Sequence, residues 1–164
     1  MVYLFSFLIG CVCGLRSMTA PAVVAWGACL GWLHLDGSPL AFLANQISLV
    51  VFSLFALGEL IADKLPFIPR RTQAGPLIVR IIFGAGCGAA LCFSGAAAGI
   101  VGAVLGGLGG VAGAFAGYHY RAGLSGKAPD FVLGLVEDAV AVGGGMLLVA
   151  AAKGPVHVAL LGIY

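Results

Sequence analysis

The chain has 164 residues; 62% are hydrophobic, 9% are charged, and eight basic against six acidic residues leave a net charge of +2. Soluble domains average roughly 45–50% apolar and about 25% charged residues, so this composition, with a mean hydropathy of +1.14, excludes an ordinary soluble domain. The small net charge and the lack of a basic patch interleaved with aromatic residues argue against nucleic-acid binding. The sequence therefore predicts one integral membrane domain over residues 1–164, surrounded by membrane lipid.

The N-terminal third holds two apolar segments, 2–15 and 21–34, each shorter than the ~20 residues that a helix needs to cross a bilayer. Between them, Thr19 is a candidate N-cap and Pro21 suits a first helical turn. Three layouts remain open: two short tilted spans, one crossing that is unwound near Arg16, or a re-entrant pair. Unwound backbone at membrane depth must be surrounded by protein or water, so the second and third layouts place Arg16 at a site.

Four further segments are long and apolar enough to be predicted as membrane helices: 40–62, 76–93, 96–118 and 131–152. A very short connection separates the second from the third, so these two should form a tight antiparallel pair. The final stretch, 155–164, is apolar but too short to cross, and we expect it at the interface. The predicted fold is an all-α polytopic transmembrane bundle of five or six membrane segments, with a broken or short N-terminal helix pair.

Most of the basic residues fall in two connections, 64–75 and 119–129. They are Lys64, Arg70, Arg71, Arg121 and Lys127. Because short loops rich in Lys and Arg stay on the cytoplasmic side, both connections are predicted to be cytoplasmic. The predicted location is the bacterial inner (plasma) membrane, crossed several times.

Glycine occurs 27 times and is concentrated between positions 84 and 117. Small-xxx-small pairs form a glycine-zipper pattern, which lets helix backbones approach closely where no hydrophobic effect drives association. The pairs are Gly95/Gly99, Gly102/Gly106, Gly106/Gly110, Gly109/Gly113 and Gly113/Gly117. The pattern fits packing within the chain, a seam between subunits or a groove for a substrate, and we expect a homo-oligomer.

Charged residues at membrane depth are costly and commonly mark a substrate path, a proton relay or an internal ion pair. Glu59 and Asp63 share a helix face through their i,i+4 spacing, and Arg80 lies about one turn inside the following helix. In an antiparallel hairpin Glu59 and Arg80 come to similar depth, so we expect an ion pair between them. Glu137 and Asp138 lie about two turns into the last long helix, approached from the same side of the membrane.

These groups are predicted to converge in the cytoplasmic half of the bundle. The candidate substrate- or ion-binding residues are Arg16, Glu59, Asp63, Arg80, Glu137 and Asp138. Four carboxylates against two or three cations leave room for a bound cation or a shared proton. A purely structural ion-pair network is the alternative, because burying a charge pair is weak evidence for stability.

The sequence shows no motif for catalysis, a metal ion or a cofactor. The five cysteines lie inside apolar runs, where we expect small buried hydrophobic residues. The three histidines lie at segment ends, and His119 with Tyr118, Tyr120 and Arg121 fits an aromatic and basic interface belt. We therefore expect no enzyme, no bound metal and no cofactor.

Three elements of the chain resemble a known family. They are GLRSMTAP from Gly14 to Pro21, GELIADKLP from Gly58 to Pro66, and Arg80 with its glycine- and alanine-rich helix. They resemble an uncharacterised bacterial integral membrane family, domain of unknown function 4126, over nearly the whole chain. The resemblance implies a small integral membrane protein with a charged motif at Arg16, Glu59, Asp63, Lys64 and Arg80, and it implies no chemistry.

The leading functional hypothesis is a small membrane transporter or channel-like permease. Its charged site would lie in the cytoplasmic half and bind a small ion, a proton or a small-molecule substrate. One alternative is a non-transporting scaffold or assembly protein in which the charges only lock helices together. Another is an integral membrane enzyme acting on a lipid headgroup, although the sequence offers no specific nucleophile, base or metal cluster.

The orientation can be tested at Gln73, in the basic connection 64–75. A Gln73→Cys variant without native cysteines should resist an impermeant thiol reagent added to intact cells, because the connection faces the cytoplasm. It should react once the membrane is permeabilised. Ready labelling from outside intact cells would reverse the predicted orientation.

Overall fold

A computed structural model of the protein describes residues 1–62, 74–124 and 130–153. Within these ranges the chain forms six α-helices, one short 3₁₀ helix and no strand, which confirms the predicted all-α class. The elements are α1 (Val2–Leu15), α2 (Thr19–Cys29), the 3₁₀ helix (Ala41–Ala44), α3 (Gln46–Ala62), α4 (Ala74–Ser94), α5 (Gly99–Leu124) and α6 (Asp130–Ala151). Outside the described residues lie Asp63, Lys64, Arg70, Arg71, Lys127 and positions 155–164, so expectations that rest on them stay predictions.

Three of the described helices are long and apolar enough to cross a membrane: α4, α5 and the Phe131–Ala151 part of α6. These helices support a membrane protein. α3 has 17 described residues and begins at Gln46 rather than at the predicted position 40. The later start has a local cause, because Asn45 Oδ1 accepts a hydrogen bond from the N–H of Ile47 at 3.0 Å, as an N-cap side chain does.

The helices α1 and α2 are antiparallel. Val2 at the start of α1 lies beside Gly95, and the N–H of His34, after α2, donates to Ser94 Oγ at 3.0 Å. Both outer ends of the pair therefore lie at the C-terminal end of α4. A single crossing interrupted near Arg16 would place these ends on opposite sides, so that layout is wrong.

The tip of this helix pair reaches only about the middle of α5, where Gly14 packs against the backbone of Gly110. With 14 and 11 residues, α1 and α2 rise about 21 Å and 16 Å, less than the ~30 Å hydrocarbon core. The antiparallel pair is compatible with the re-entrant layout and with two short tilted spans, and both stay predictions. The expected N-cap at Thr19 is wrong, because Met18 holds that position and Thr19 is the first helical residue.

The expected tight antiparallel pair of α4 and α5 is confirmed. Its turn contains Ala96 in a left-handed conformation with φ of 51°, and α5 begins at Gly99 rather than at position 96. At its other end α5 continues to Leu124, beyond the predicted end at position 118. Residues 119–124 are therefore helical and not part of a connection, and Arg121 lies in the last turn of α5.

Glycines of α5 pack directly against the backbones of two neighbouring helices. A Cβ at Gly106 would overlap the carbonyl group of Gly84 in α4, and a Cβ at Gly109 would overlap the carbonyl oxygen of Phe7 in α1. Close backbone contact of this kind supplies dispersion energy that larger side chains would prevent. The contacts lie within one chain, so they supply no argument for the expected homo-oligomer.

The backbone contact of Gly106 can be tested with a matched pair of alanine variants. Gly106→Ala should destabilise the protein by ~1–3 kcal/mol, because the new methyl group overlaps the backbone of Gly84. Gly86→Ala is the control, since its Cβ would meet no described atom within 4 Å and alanine favours a helix over glycine. Thermal unfolding in detergent measures both, and an unchanged Gly106→Ala midpoint would contradict the packing.

Candidate functional site

The candidate site is built around the break between α1 and α2. The backbone N–H groups of Ser17 and Met18 donate to the two carboxylate oxygens of Glu59, each at 2.8 Å. The N-terminus of a helix carries unsatisfied N–H groups and a partial positive charge, so a carboxylate is a suitable partner for it. Glu59 lies on α3, so the N-terminus of α2 is capped by a helix outside the α1–α2 pair.

Arg80 satisfies the other side of the same break. Its Nη1 donates to the carbonyl oxygen of Gly14 at 3.0 Å, and its Nε donates to Ser17 Oγ at 3.2 Å. A guanidinium at the C-terminal end of α1 complements the partial negative charge there. The expected direct ion pair of Glu59 with Arg80 is therefore not what the structure shows: Ser17 lies between them, giving its N–H to Glu59 and accepting from Arg80.

Arg16 lies in the break itself and is almost completely enclosed, with 1% of its surface exposed. Its Nη2 forms an ion pair with Asp138 of α6, and its Nη1 donates to the backbone carbonyl oxygen of Glu59 at 3.5 Å. A guanidinium has five donors in a fixed plane, which lets it join groups from different helices. Arg16 thereby links the broken pair to α3 and α6.

Glu137 has a different partner from its neighbour Asp138. Its Oε2 accepts from Nε and Nη2 of Arg121 at 3.0 and 2.9 Å, and the Glu137 side chain is buried. Sequence reasoning assigned Arg121 to an interface belt, because it placed position 121 in a connection after the helix. The pair of Arg121 with Glu137 could have been predicted from the order of the helices. Because consecutive helices joined by a short connection run antiparallel, the last turn of α5 lies beside the early turns of α6.

We call this set the polar cluster; it consists of Arg16, Ser17, Glu59, Arg80, Arg121, Glu137 and Asp138. Hydrogen bonds and an ion pair join four of the six predicted site residues, Arg16, Glu59, Arg80 and Asp138, in part through Ser17. Glu137 adjoins them as the neighbour of Asp138, and the sixth, Asp63, lies outside the described residues. With Arg121 included, the described part of the cluster holds three cations and three carboxylates. The expected carboxylate excess counts Asp63 as the fourth carboxylate, so it stays a prediction.

In residues 1–62, 74–124 and 130–153, no group of three or more His, Cys, Asp or Glu side chains is placed to bind a metal ion. The hydroxyl of Thr19, one residue beyond Met18, is buried and has no hydrogen-bond partner among the described residues. A buried hydroxyl without a partner costs free energy.

Comparison with known proteins identifies the family to which the chain belongs. No curated protein and no solved structure matches the chain. Residues 4–163 match the family described as "Domain of unknown function (DUF4126)", in agreement with the resemblance of the charged motifs. Because the match covers nearly the whole sequence, the chain belongs to the DUF4126 family.

Proposed function

We propose that this protein is a small membrane transporter or channel-like permease whose substrate passes the polar cluster. The observation that carries the proposal is the break between α1 and α2, enclosed by charged groups at about mid-length of α5. Irregular backbone at membrane depth is tolerated where protein or a water-filled cavity surrounds it, and interrupted helices form the substrate sites of many transporters.

The peripheral position of α3 supports a movable site. α3 has no buried residue, yet it supplies the carboxylate of Glu59 that satisfies two N–H groups of the break. Elements with few buried contacts open at low free energy. On this proposal, displacement of α3 withdraws Glu59 and exposes the N–H groups of Ser17 and Met18 to a substrate or to water.

The proposed setting is the bacterial inner membrane, with several crossings. Residues 64–75 and 119–129, the second of which includes the last turn of α5, lie on the cytoplasmic side in this proposal. Three helices of sufficient length and apolar composition support membrane insertion. The bias of Lys and Arg supports the orientation. A homo-oligomer and five or six membrane segments belong to the same proposal, and we propose no enzymatic activity.

A second candidate function is a membrane scaffold, and the ion pairs favour it. Arg16 with Asp138 and Arg121 with Glu137 each join two different helices. Removing one partner of a buried pair costs about 3–5 kcal/mol because the other charge stays buried without compensation. Such pairs therefore fix how helices meet, whether or not anything is transported.

Water access to Ser17 distinguishes the two functions without knowledge of the substrate. In a background without native cysteines, a Ser17→Cys variant should react with a small hydrophilic methanethiosulfonate reagent, because a transport site opens to water. Ser6→Cys is the matched control: Ser6 is also buried, but it lies against Gly88 and Cys92 in the packed core. It should remain unmodified.

Mass spectrometry of the intact protein in liposomes measures the modified fraction. If the cysteines at positions 17 and 6 both remain unmodified under conditions where an exposed cysteine reacts fully, the transport proposal is contradicted and the scaffold function is favoured. Modification of both positions would show that the protein is not folded as described, and thermal unfolding of each variant is the check.

The Arg16–Asp138 pair generates a stability prediction. Asp138→Asn should destabilise the protein by about 1.5–3 kcal/mol, because the buried guanidinium of Arg16 loses a charged hydrogen-bond acceptor. Adding Arg16→Gln should cost less than the sum of the two single changes, which a double-mutant cycle measures. Strict additivity in thermal unfolding would show that this pair does not couple α6 to the break.

A further inference from the structure

A cleft of about 420 Å³ lies between α2, α3 and α6, beside the polar cluster. Its walls are mainly apolar, and they include Val23, Ala56, Leu57, Leu60 and Met146. Leu57 is more than half exposed, which shows that the cleft opens at the outer surface of the bundle. In a membrane this surface faces lipid, so an apolar molecule reaches the cleft without passing through water.

One end of the cleft adjoins the break. Thr19 lines it, and Thr19 follows Met18, whose N–H is bound by Glu59. Leu60, which also lines it, is the next residue after Glu59. At the other end, Trp26 Nε1 donates to Ser53 Oγ at 3.1 Å, about 10 Å along α2 from Thr19. The cleft therefore runs from lipid-facing side chains to the edge of the polar cluster.

The hydroxyl of Thr19 gives the cleft a second feature that points to a ligand. Thr19 is 2% exposed, and its Oγ1 has no hydrogen-bond partner among the described residues. The oxygen itself is closed to a water-sized molecule in this conformation, so a polar head would accept its hydrogen bond after the Thr19 side chain turns toward the cleft that it lines. The site thus combines an apolar wall with one buried donor, as small-molecule sites commonly do.

We propose that the cleft binds a single-chain membrane amphiphile, with its hydrocarbon chain along α2 and its head accepting a hydrogen bond from Thr19. The volume lies at the low end of the roughly 300–1,000 Å³ of small-molecule sites, which suits one chain rather than two. As a substrate class this inference rests on the proposed function. The head of the amphiphile would lie at the polar cluster while its chain stays in the lipid-facing cleft.

The test uses Trp26 as the reporter and dibromostearic acid as the probe. The chain has two tryptophans, so a Trp32→Phe background leaves Trp26 as the only one. Bromine quenches tryptophan fluorescence on contact, and detergent-solubilised protein should show saturable quenching, because Trp26 lines the cleft. Thr19→Val should raise the half-saturating concentration about three- to tenfold, since it removes one hydrogen bond and keeps the shape.

Two changes on α3 provide the matched comparison. Ala56→Phe should abolish saturable quenching by filling the cleft, whereas Leu54→Phe, at an exposed position of the same helix that does not line the cleft, should leave it unchanged. Quenching that rises linearly and equally in all variants would overturn the site, because it reports contact in the surrounding detergent. Saturable quenching that Thr19→Val does not weaken would overturn the placement of the head.

The last measurement uses a brominated two-chain phospholipid as the probe. Saturable quenching at a concentration equal to or lower than that of dibromostearic acid would overturn the proposal that the cleft holds a single-chain amphiphile. The experiments distinguish a failure of the amphiphile site from a failure of the proposed transport. Saturable binding with a protected Ser17→Cys leaves the amphiphile site standing without transport. A reactive Ser17→Cys without saturable binding leaves transport standing with a different substrate.

Discussion

The backbone groups at the break between α1 and α2 lie inside the bundle, where water is scarce, and the rest of the structure depends on satisfying them. The N–H groups of Ser17 and Met18 are bound by Glu59, and the carbonyl oxygen of Gly14 is bound by Arg80. Each unsatisfied backbone group in an apolar environment costs several kcal/mol. A chain that interrupts a helix at this depth must therefore bring charged side chains to it from other helices.

This requirement explains why the charges come from so many elements. Glu59 lies on α3, Arg80 on α4 and Asp138 on α6, while Arg16 belongs to the break itself. Arg16 and Asp138 compensate each other in a low dielectric, where a lone charge would be prohibitively costly. The network makes the relative placement of these helices specific, and this consequence holds for a transporter and for a scaffold alike.

The glycines divide the bundle into a tightly packed part and a more open part. α1, α4 and α5 meet through backbone contacts at positions such as Gly84, Gly106 and Gly109, where no side chain has room. α2, α3 and α6 meet through larger side chains, and the cleft remains between them. A rigid half beside a loosely packed α3 is a suitable arrangement for a site that opens, because only one side has to move.

The sequence by itself determined the fold class, the positions of most helices and the family. Long apolar runs with charges at their ends have one physical solution in lipid, so α4, α5 and α6 were predictable from composition and length. Asp138 and Arg16 were named as candidates because a charge in an apolar run must have a reason, and the structure shows them buried as an ion pair. Local spacing could not identify the partners, since they lie on other helices.

Only the tertiary structure decided which groups meet. It placed Ser17 between Glu59 and Arg80, paired Arg121 with Glu137, and folded α1 and α2 back on each other. It also opened an apolar cleft at Thr19, a residue whose sequence context predicts only a helix cap. Helix depth and rotation set these contacts, and both depend on how whole helices pack rather than on any short segment of the chain.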